Sequence, residues 1–271
     1  MNERRPDPDS LRYARYWEPV LAAAARRLLD RVETSPTTCL DIGAGTGSLT
    51  FAAAGRWPGA RVIGLDASIG MLSVARYRLA HDVDKPEPDR FTWLAGDALD
   101  LPLDDAAVDL AVSAFVLQVV HDRPRLLREA WRVLRPGGTV GFVTWLAAEL
   151  SLAADDAYEE VLAAFGQEAA GAGCRSARPT DYETLEQARG ELASAGFADV
   201  DVRPDELHHA WSLDGYLAFK EHFDDHERFG ALDDPTRQRL RSAIRARWAT
   251  LPDTAFEVRG PLVSAVARKP A

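Results

Sequence analysis

Cys39-Leu40-Asp41-Ile42-Gly43-Ala44-Gly45-Thr46-Gly47 is the stretch that decides the fold. A short apolar run broken by one acid leads into three glycines at alternate positions. The residues beyond, Ser48–Arg56, have helical spacing. Glycines let the backbone turn tightly and let a ligand lie against it with no Cβ in the way. The helix start that follows offers unpaired N–H groups. The dinucleotide fingerprint needs G-x-G-x-x-G, with an acid about 20 residues further on. Here the third glycine, Gly47, comes one residue early and Ser48 stands in its place. That departure makes an NAD(P)-dependent oxidoreductase the weaker alternative.

Outward from this stretch, strand-like and helix-like segments alternate. Thr38–Ile42, Arg61–Asp66, Phe91–Ala95, Val108–Phe115 and Thr139–Trp145 read as strands; Ser48–Arg56, Ser68–Ala80 and Arg123–Leu134 read as helices. The strands are apolar on consecutive positions, the pattern of a parallel sheet buried on both faces. Short loops between them imply right-handed βαβ units. Before this block, Leu11–Val32 has apolar residues at helical spacing, with Pro19 dividing it into two pieces. After Trp145 the rhythm becomes mostly helical. Helices are expected over Ala147–Phe165, Tyr182–Ala195, Leu213–Arg228 and Asp234–Thr250, with a flexible segment at Gly166–Pro179. Strands are expected at Asp199–Leu207 and Phe256–Arg268.

The 271 residues are 46% hydrophobic, enough for a full core. Lys and Arg total 32 against 42 Asp and Glu, a net charge of −10. That balance argues against a broad nucleic-acid surface. The two cysteines, Cys39 and Cys174, have no metal or redox spacing. The first residues are charged and Pro-rich rather than signal-like, and no apolar run reaches membrane-spanning length. A cytoplasmic enzyme with no membrane partner is the expectation, as a monomer or homodimer.

Asp41, Gly43, Gly45 and Gly47 resemble motif I, D-x-G-x-G-x-G, of the class I methyltransferases. Val62-Ile63-Gly64-Leu65-Asp66, followed by Ala67 and Met71, resembles that family's second strand. Ala95-Gly96-Asp97-Ala98 resembles its third-strand motif, and Val108–Ser113 its fourth strand. Trp131–Gly138 resembles the turn before the fifth. The likeness is to the UbiE/menaquinone-biosynthesis-like, small-molecule branch. It is close over residues 36–146 and looser over 182–268.

The resemblance implies a doubly wound, seven-stranded α/β sheet of order 3-2-1-4-5-7-6 with strand 7 antiparallel. It implies S-adenosylmethionine as cofactor and a small-molecule acceptor. Residues 1–35 would form an N-terminal helical lid, 36–146 the cofactor core and 147–198 a helical connection. Residues 199–271 would carry strands 6 and 7 around a helical insertion at 213–250. Asp66 would bond the ribose hydroxyls, a task suited to a carboxylate that accepts from two neighbouring O–H groups. Asp97 and Ala98 would meet adenine, and Ser113 the methionine moiety. Asp41, Gly43, Ala44, Gly45, Gly47, Ala67, Met71, Tyr13 and Tyr16 complete the expected cofactor-binding set.

Methyl transfer from a sulfonium needs positioning and water exclusion more than a protein nucleophile. A proton-bearing acceptor would need a base, for which His121, His208 and His209 are the candidates. His222 and His226 stand four residues apart on an expected helix, but in a dense charge run that reads as a solvated face; no metal is expected. A cofactor-binding regulatory or assembly protein without turnover is the alternative these motifs leave open.

Overall fold

A computed structural model describes residues 6–81, 87–167, 178 and 180–271. Seven strands form one sheet in the order β3-β2-β1-β4-β5-β7-β6. They are β1 (Thr38–Ile42), β2 (Arg61–Asp66), β3 (Phe91–Ala95), β4 (Val108–Ala114), β5 (Leu134–Trp145), β6 (Ala198–Ala210) and β7 (Glu257–Arg268). β1 to β5 pair in parallel, and β7 runs antiparallel between β5 and β6. The central strands are buried on both faces, so they read as continuous apolar runs. Cys39 packs wholly inside β1. The expected Gly166–Pro179 segment and Cys174 fall largely outside the described residues.

Helices cover both faces. On one lie α2 (Glu18–Asp30), α3 (Ser48–Arg56) and α6 (Ala153–Ala164), with the later α8 (Leu213–Phe219) and α10 (Asp234–Trp248) in the same apolar cluster. α5 (Arg123–Val133) and α7 (Leu185–Ser194) cover the other face. α4 (Ile69–His81), the crossover from β2 to β3, packs on those two strands, and α1 (Pro8–Tyr16) touches it. The break at Pro19 is real: α1 stops at Tyr16, and Pro19 sits in the first turn of α2. Arg27 and Arg31 on α2 reach across to Asp205 and Asp201 on β6.

Several elements depart from their expected bounds, each for a local reason. β5 starts at Leu134 rather than Thr139. Val108 pairs with Leu134 and Leu110 with Thr139, so Arg135–Gly138 loops out between two paired positions. The expected helix from Ala147 begins only at Ala153, because the preceding chain is held extended: Leu146 bridges Tyr182, and the Ala147 N–H donates to the Tyr182 carbonyl. α7 starts at Leu185, capped by the Thr184 hydroxyl, which accepts from the Gln187 N–H at 3.1 Å.

The single helix expected over Leu213–Arg228 is α8, a π-helical turn at Lys220–Asp224 and α9 (His226–Ala231). The turn buries Lys220 completely, 2.7 Å from both Asp155 on α6 and Asp224. The Tyr216 hydroxyl donates to the same Asp155 oxygen at 2.5 Å. Lys220→Met would strand the Asp155 carboxylate in the apolar interior. Urea denaturation is expected to show a loss of about 3–5 kcal/mol, the range for removing one partner of a buried pair.

Candidate functional site

The three glycines of the β1–α3 turn all have positive φ, +75° at Gly43, +54° at Gly45 and +92° at Gly47. A side chain at any of them would be strained. The turn is tied to the end of β2 from several sides. The Gly43 and Ala44 N–H groups both donate to the Leu65 carbonyl at 2.8 Å. The Gly45 N–H donates to one Asp66 oxygen at 2.8 Å, and the Ser68 N–H to the other at 2.7 Å. Asp66 therefore shapes the turn and the start of α4 together.

Asp41 lies beneath the turn, almost fully buried, and accepts from the Thr50 hydroxyl on α3 at 2.6 Å. Burial, opposed by that bond and aided by Asp66, raises its carboxyl from 3.8 to about 7. Ser113 on β4 donates to the Ile42 carbonyl at 2.9 Å and fixes the spacing of β4 against the end of β1. Phe115, one residue past β4, holds a φ of +59°, uncommon for a side chain of that size. Its carbonyl accepts from Gln118, and its ring lies 5.6 Å from that of Trp145.

A cleft with about 430 Å³ of empty volume opens above this turn. Its floor is Asp41, Gly43–Thr46, Ser48 and Leu49; Ala114 and Phe115 form one wall, and Tyr13, Glu18, Leu21, Ala22 and Ala25 the roof. Glu18, at the start of α2, accepts from the Thr46 hydroxyl and from Arg78 on α4 at 2.8 and 2.9 Å. The same Arg78 group donates to the Thr46 carbonyl at 3.0 Å. Burial and the nearby Glu18 and Asp66 carboxylates push the Tyr13 hydroxyl up to about 12.

Of the residues singled out from sequence, Tyr13, Asp41, Gly43, Ala44 and Gly45 line this cleft, while Gly47 caps α3 behind it. Asp66, Ala67, Met71, Asp97 and Ala98 stand along the adjoining ends of β2 and β3, where Asp66 pairs with Ala95. Asp97 is exposed and accepts from the Leu99 N–H at 2.9 Å. Tyr16 faces away from the cleft and stacks on His222 at 5.7 Å.

None of the three candidate bases is among the described residues lining the cleft. His121 is exposed in the β4–α5 loop. His208 lies 3.3 Å from Glu257, and His209 packs edge-on against Trp211 at 4.5 Å, both on edge strand β6. Among the described residues, no three His, Cys, Asp or Glu side chains converge as a metal site. Glu18 was not legible from sequence, where an acid before a proline in the first turn of a helix reads as dipole compensation.

The methyltransferase domain family matches residues 40–142, from the middle of β1 into β5. The chain carries a class I methyltransferase domain. A malonyl-[acyl-carrier protein] O-methyltransferase of Serratia marcescens is 41% identical over 122 residues, 45% of this chain and 43% of that protein. A demethylmenaquinone methyltransferase of Symbiobacterium thermophilum is 42% identical over 100 residues, 36% of this chain and 39% of that one. The chain thus spans less than half the length of these two curated relatives. Among solved structures, Haemonchus contortus phosphoethanolamine N-methyltransferase 2 superposes with a TM-score of 0.58 at 20% identity, covering 97% of this chain and 57% of that one. That likeness is one of fold.

In the methyltransferase domain, the raised Asp41 has a calculable effect on stability. Its folded value lies above its unfolded one, so its ionisation opposes folding. The penalty grows as pH rises from about 4 to about 7 and is complete above that. Asp41→Asn removes the ionisation while keeping an acceptor for Thr50. The stability of the variant relative to the parent is expected to rise by about 2–3 kcal/mol between pH 5 and pH 8. Thermal denaturation at the two pH values measures this, and a gap independent of pH contradicts it.

Proposed function

We propose that this protein transfers a methyl group from S-adenosylmethionine to a small-molecule O, N or C acceptor. The observation that carries the reading is the glycine floor of the cleft, bonded to the Asp66 carboxylate at the end of β2. The described lining holds Glu18 and Asp41 and neither Lys nor Arg. Arg78 offsets Glu18, so the carboxylate left beside the floor is Asp66, which suits ribose hydroxyls and disfavours a pyrophosphate. The floor also has room: a Cβ built at Gly45 meets nothing within 4 Å. The residues present therefore fit the cationic adenosyl ligand better than a dinucleotide.

When bound, S-adenosylmethionine supplies a methyl carbon already activated by its sulfonium. The protein's share is binding, orientation and exclusion of water. Asp66 has acceptor capacity left for the ribose hydroxyls, since each of its oxygens is engaged by one backbone N–H. Asp97 and Ala98, just past the end of β3, would meet the adenine edge. Asp41 and Glu18 line the part of the cleft that would hold the cationic end. Leu21, Ala22, Ala25, Ala114 and Phe115 give the remaining walls an apolar character that favours a desolvated acceptor.

With imidazoles outside the described lining, the acceptor is best one that arrives already deprotonated. The Serratia relative is named as an O-methyltransferase of malonyl-[acyl-carrier protein] and the Symbiobacterium relative as a demethylmenaquinone methyltransferase; both acceptors belong in the first panel tested. We place the protein in the cytoplasm, as a monomer or homodimer without nucleic-acid or membrane partners. The net charge of −10 supports the lack of a nucleic-acid partner, and among the described residues no helix is long and apolar enough to cross a membrane.

Incubation with methyl-labelled S-adenosylmethionine and an acceptor panel tests the activity; binding of S-adenosylhomocysteine with no transfer to any acceptor would instead favour a regulatory role. Calorimetry is expected to show that Asp66→Ala weakens S-adenosylhomocysteine binding by roughly 1.5–3 kcal/mol. On an acceptor that arrives ionised, His121→Ala and His208→Ala/His209→Ala should retain kcat within about threefold. A loss of about a hundredfold or more would return the missing variant's imidazole to the role of base.

A further inference from the structure

A second groove lies on the other side of α1 from the cleft, with about 1260 Å³ of open space. Arg12, Arg15 and Tyr16 line it from α1. Glu221, His222, His226, Phe229 and Gly230 line it from the π turn and α9, and Arg237 from α10. The chain as a whole carries a net charge of −10, yet the lining of this groove holds three guanidinium groups and two imidazoles with one carboxylate, while Asp9 and Asp234 pair with Arg12 and Arg237 at its rim. The lining carboxylate, Glu221, is turned toward Arg241 at 3.4 Å.

We infer that this groove is a binding site for a phosphate monoester bearing a planar or apolar group. Guanidinium groups suit a phosphate because their paired N–H donors match its oxygens. Arg15 has its charge over the Tyr16 ring at 5.4 Å. Arg12 and Arg237 are paired with Asp9 and Asp234, side chains 79% and 84% exposed, and such pairs are readily exchanged for a doubly charged ligand. Arg237 is also held in place by the Phe229 and Leu232 carbonyls at 2.9 and 2.8 Å, so its position is fixed before any ligand arrives. His226 accepts from Arg12 at 3.3 Å through Nε2, while its Nδ1 lies 3.0 Å from the Phe223 carbonyl. The stacked Tyr16 and His222 rings and the 40% exposed Leu11 supply the surface for the ester's organic part.

The site is separate from the acidic cleft and does not depend on the methyl-transfer reading. Calorimetric titration of the full chain with phenyl phosphate tests it. Saturable 1:1 binding is expected, tighter than that of inorganic phosphate by about tenfold because the ring packs on Tyr16 and His222. Arg12→Gln/Arg15→Gln is expected to weaken phenyl phosphate by at least about tenfold. Arg239→Gln, on the same helix as Arg237 but outside the groove lining, should leave it within about twofold. Equal binding by the Arg12→Gln/Arg15→Gln variant and the parent overturns the inference, as does inorganic phosphate matching phenyl phosphate. The melting temperature and circular dichroism spectrum of the Arg12→Gln/Arg15→Gln variant, expected to match the parent, report that the fold is intact.

Discussion

The carboxylate of Asp66 holds the geometry on which the cleft depends. One oxygen receives the Gly45 N–H and the other the Ser68 N–H, at 2.8 and 2.7 Å. These charge-assisted bonds fix a turn that three residues with positive φ make possible, and they do so from the neighbouring strand. The floor is thereby shaped by the protein alone. A ligand meeting it need not organise the turn and can spend its interactions on the lone pairs that remain.

The roof is tied to the same turn. Glu18 joins the start of α2 to Thr46 of the glycine turn and to Arg78 of α4, so three elements far apart in sequence meet on one carboxylate. Above it, Tyr13 and Trp17 pack against Phe223, and Trp17 also against Phe219, which couples the N-terminal helices to the insertion between β6 and β7. The resulting enclosure is acidic near the glycine turn and apolar toward Phe115.

What could be seen in the sequence was what lies within one or two βαβ units. Asp41 to Gly47 and Val62 to Asp66 are contiguous, and strand burial on both faces leaves an unbroken apolar run that is easily recognised. The sheet order followed from the resemblance rather than from any pattern in the residues themselves. Glu18 was invisible because its partners lie 28 and 60 residues away. The break in the helix after Phe219 was hidden as well, since Lys220 looks like an ordinary surface lysine until Asp155 is brought beneath it. Tyr13 and Tyr16 are both expected at the cofactor, but residues three apart on a short helix at a cleft's rim can serve different sides of it.

The place of β7 bears on how the chain acquires its shape during synthesis. Within the sheet, β6 pairs with β7, and β7 stands between it and β5. The first five strands can zip together in parallel as they leave the ribosome, with each crossover helix already made. β6 can join the sheet only once β7, which follows the whole helical insertion in the chain, lies between it and β5. Arg27 and Arg31 then clamp β6 onto the α2 side of the sheet through Asp205 and Asp201.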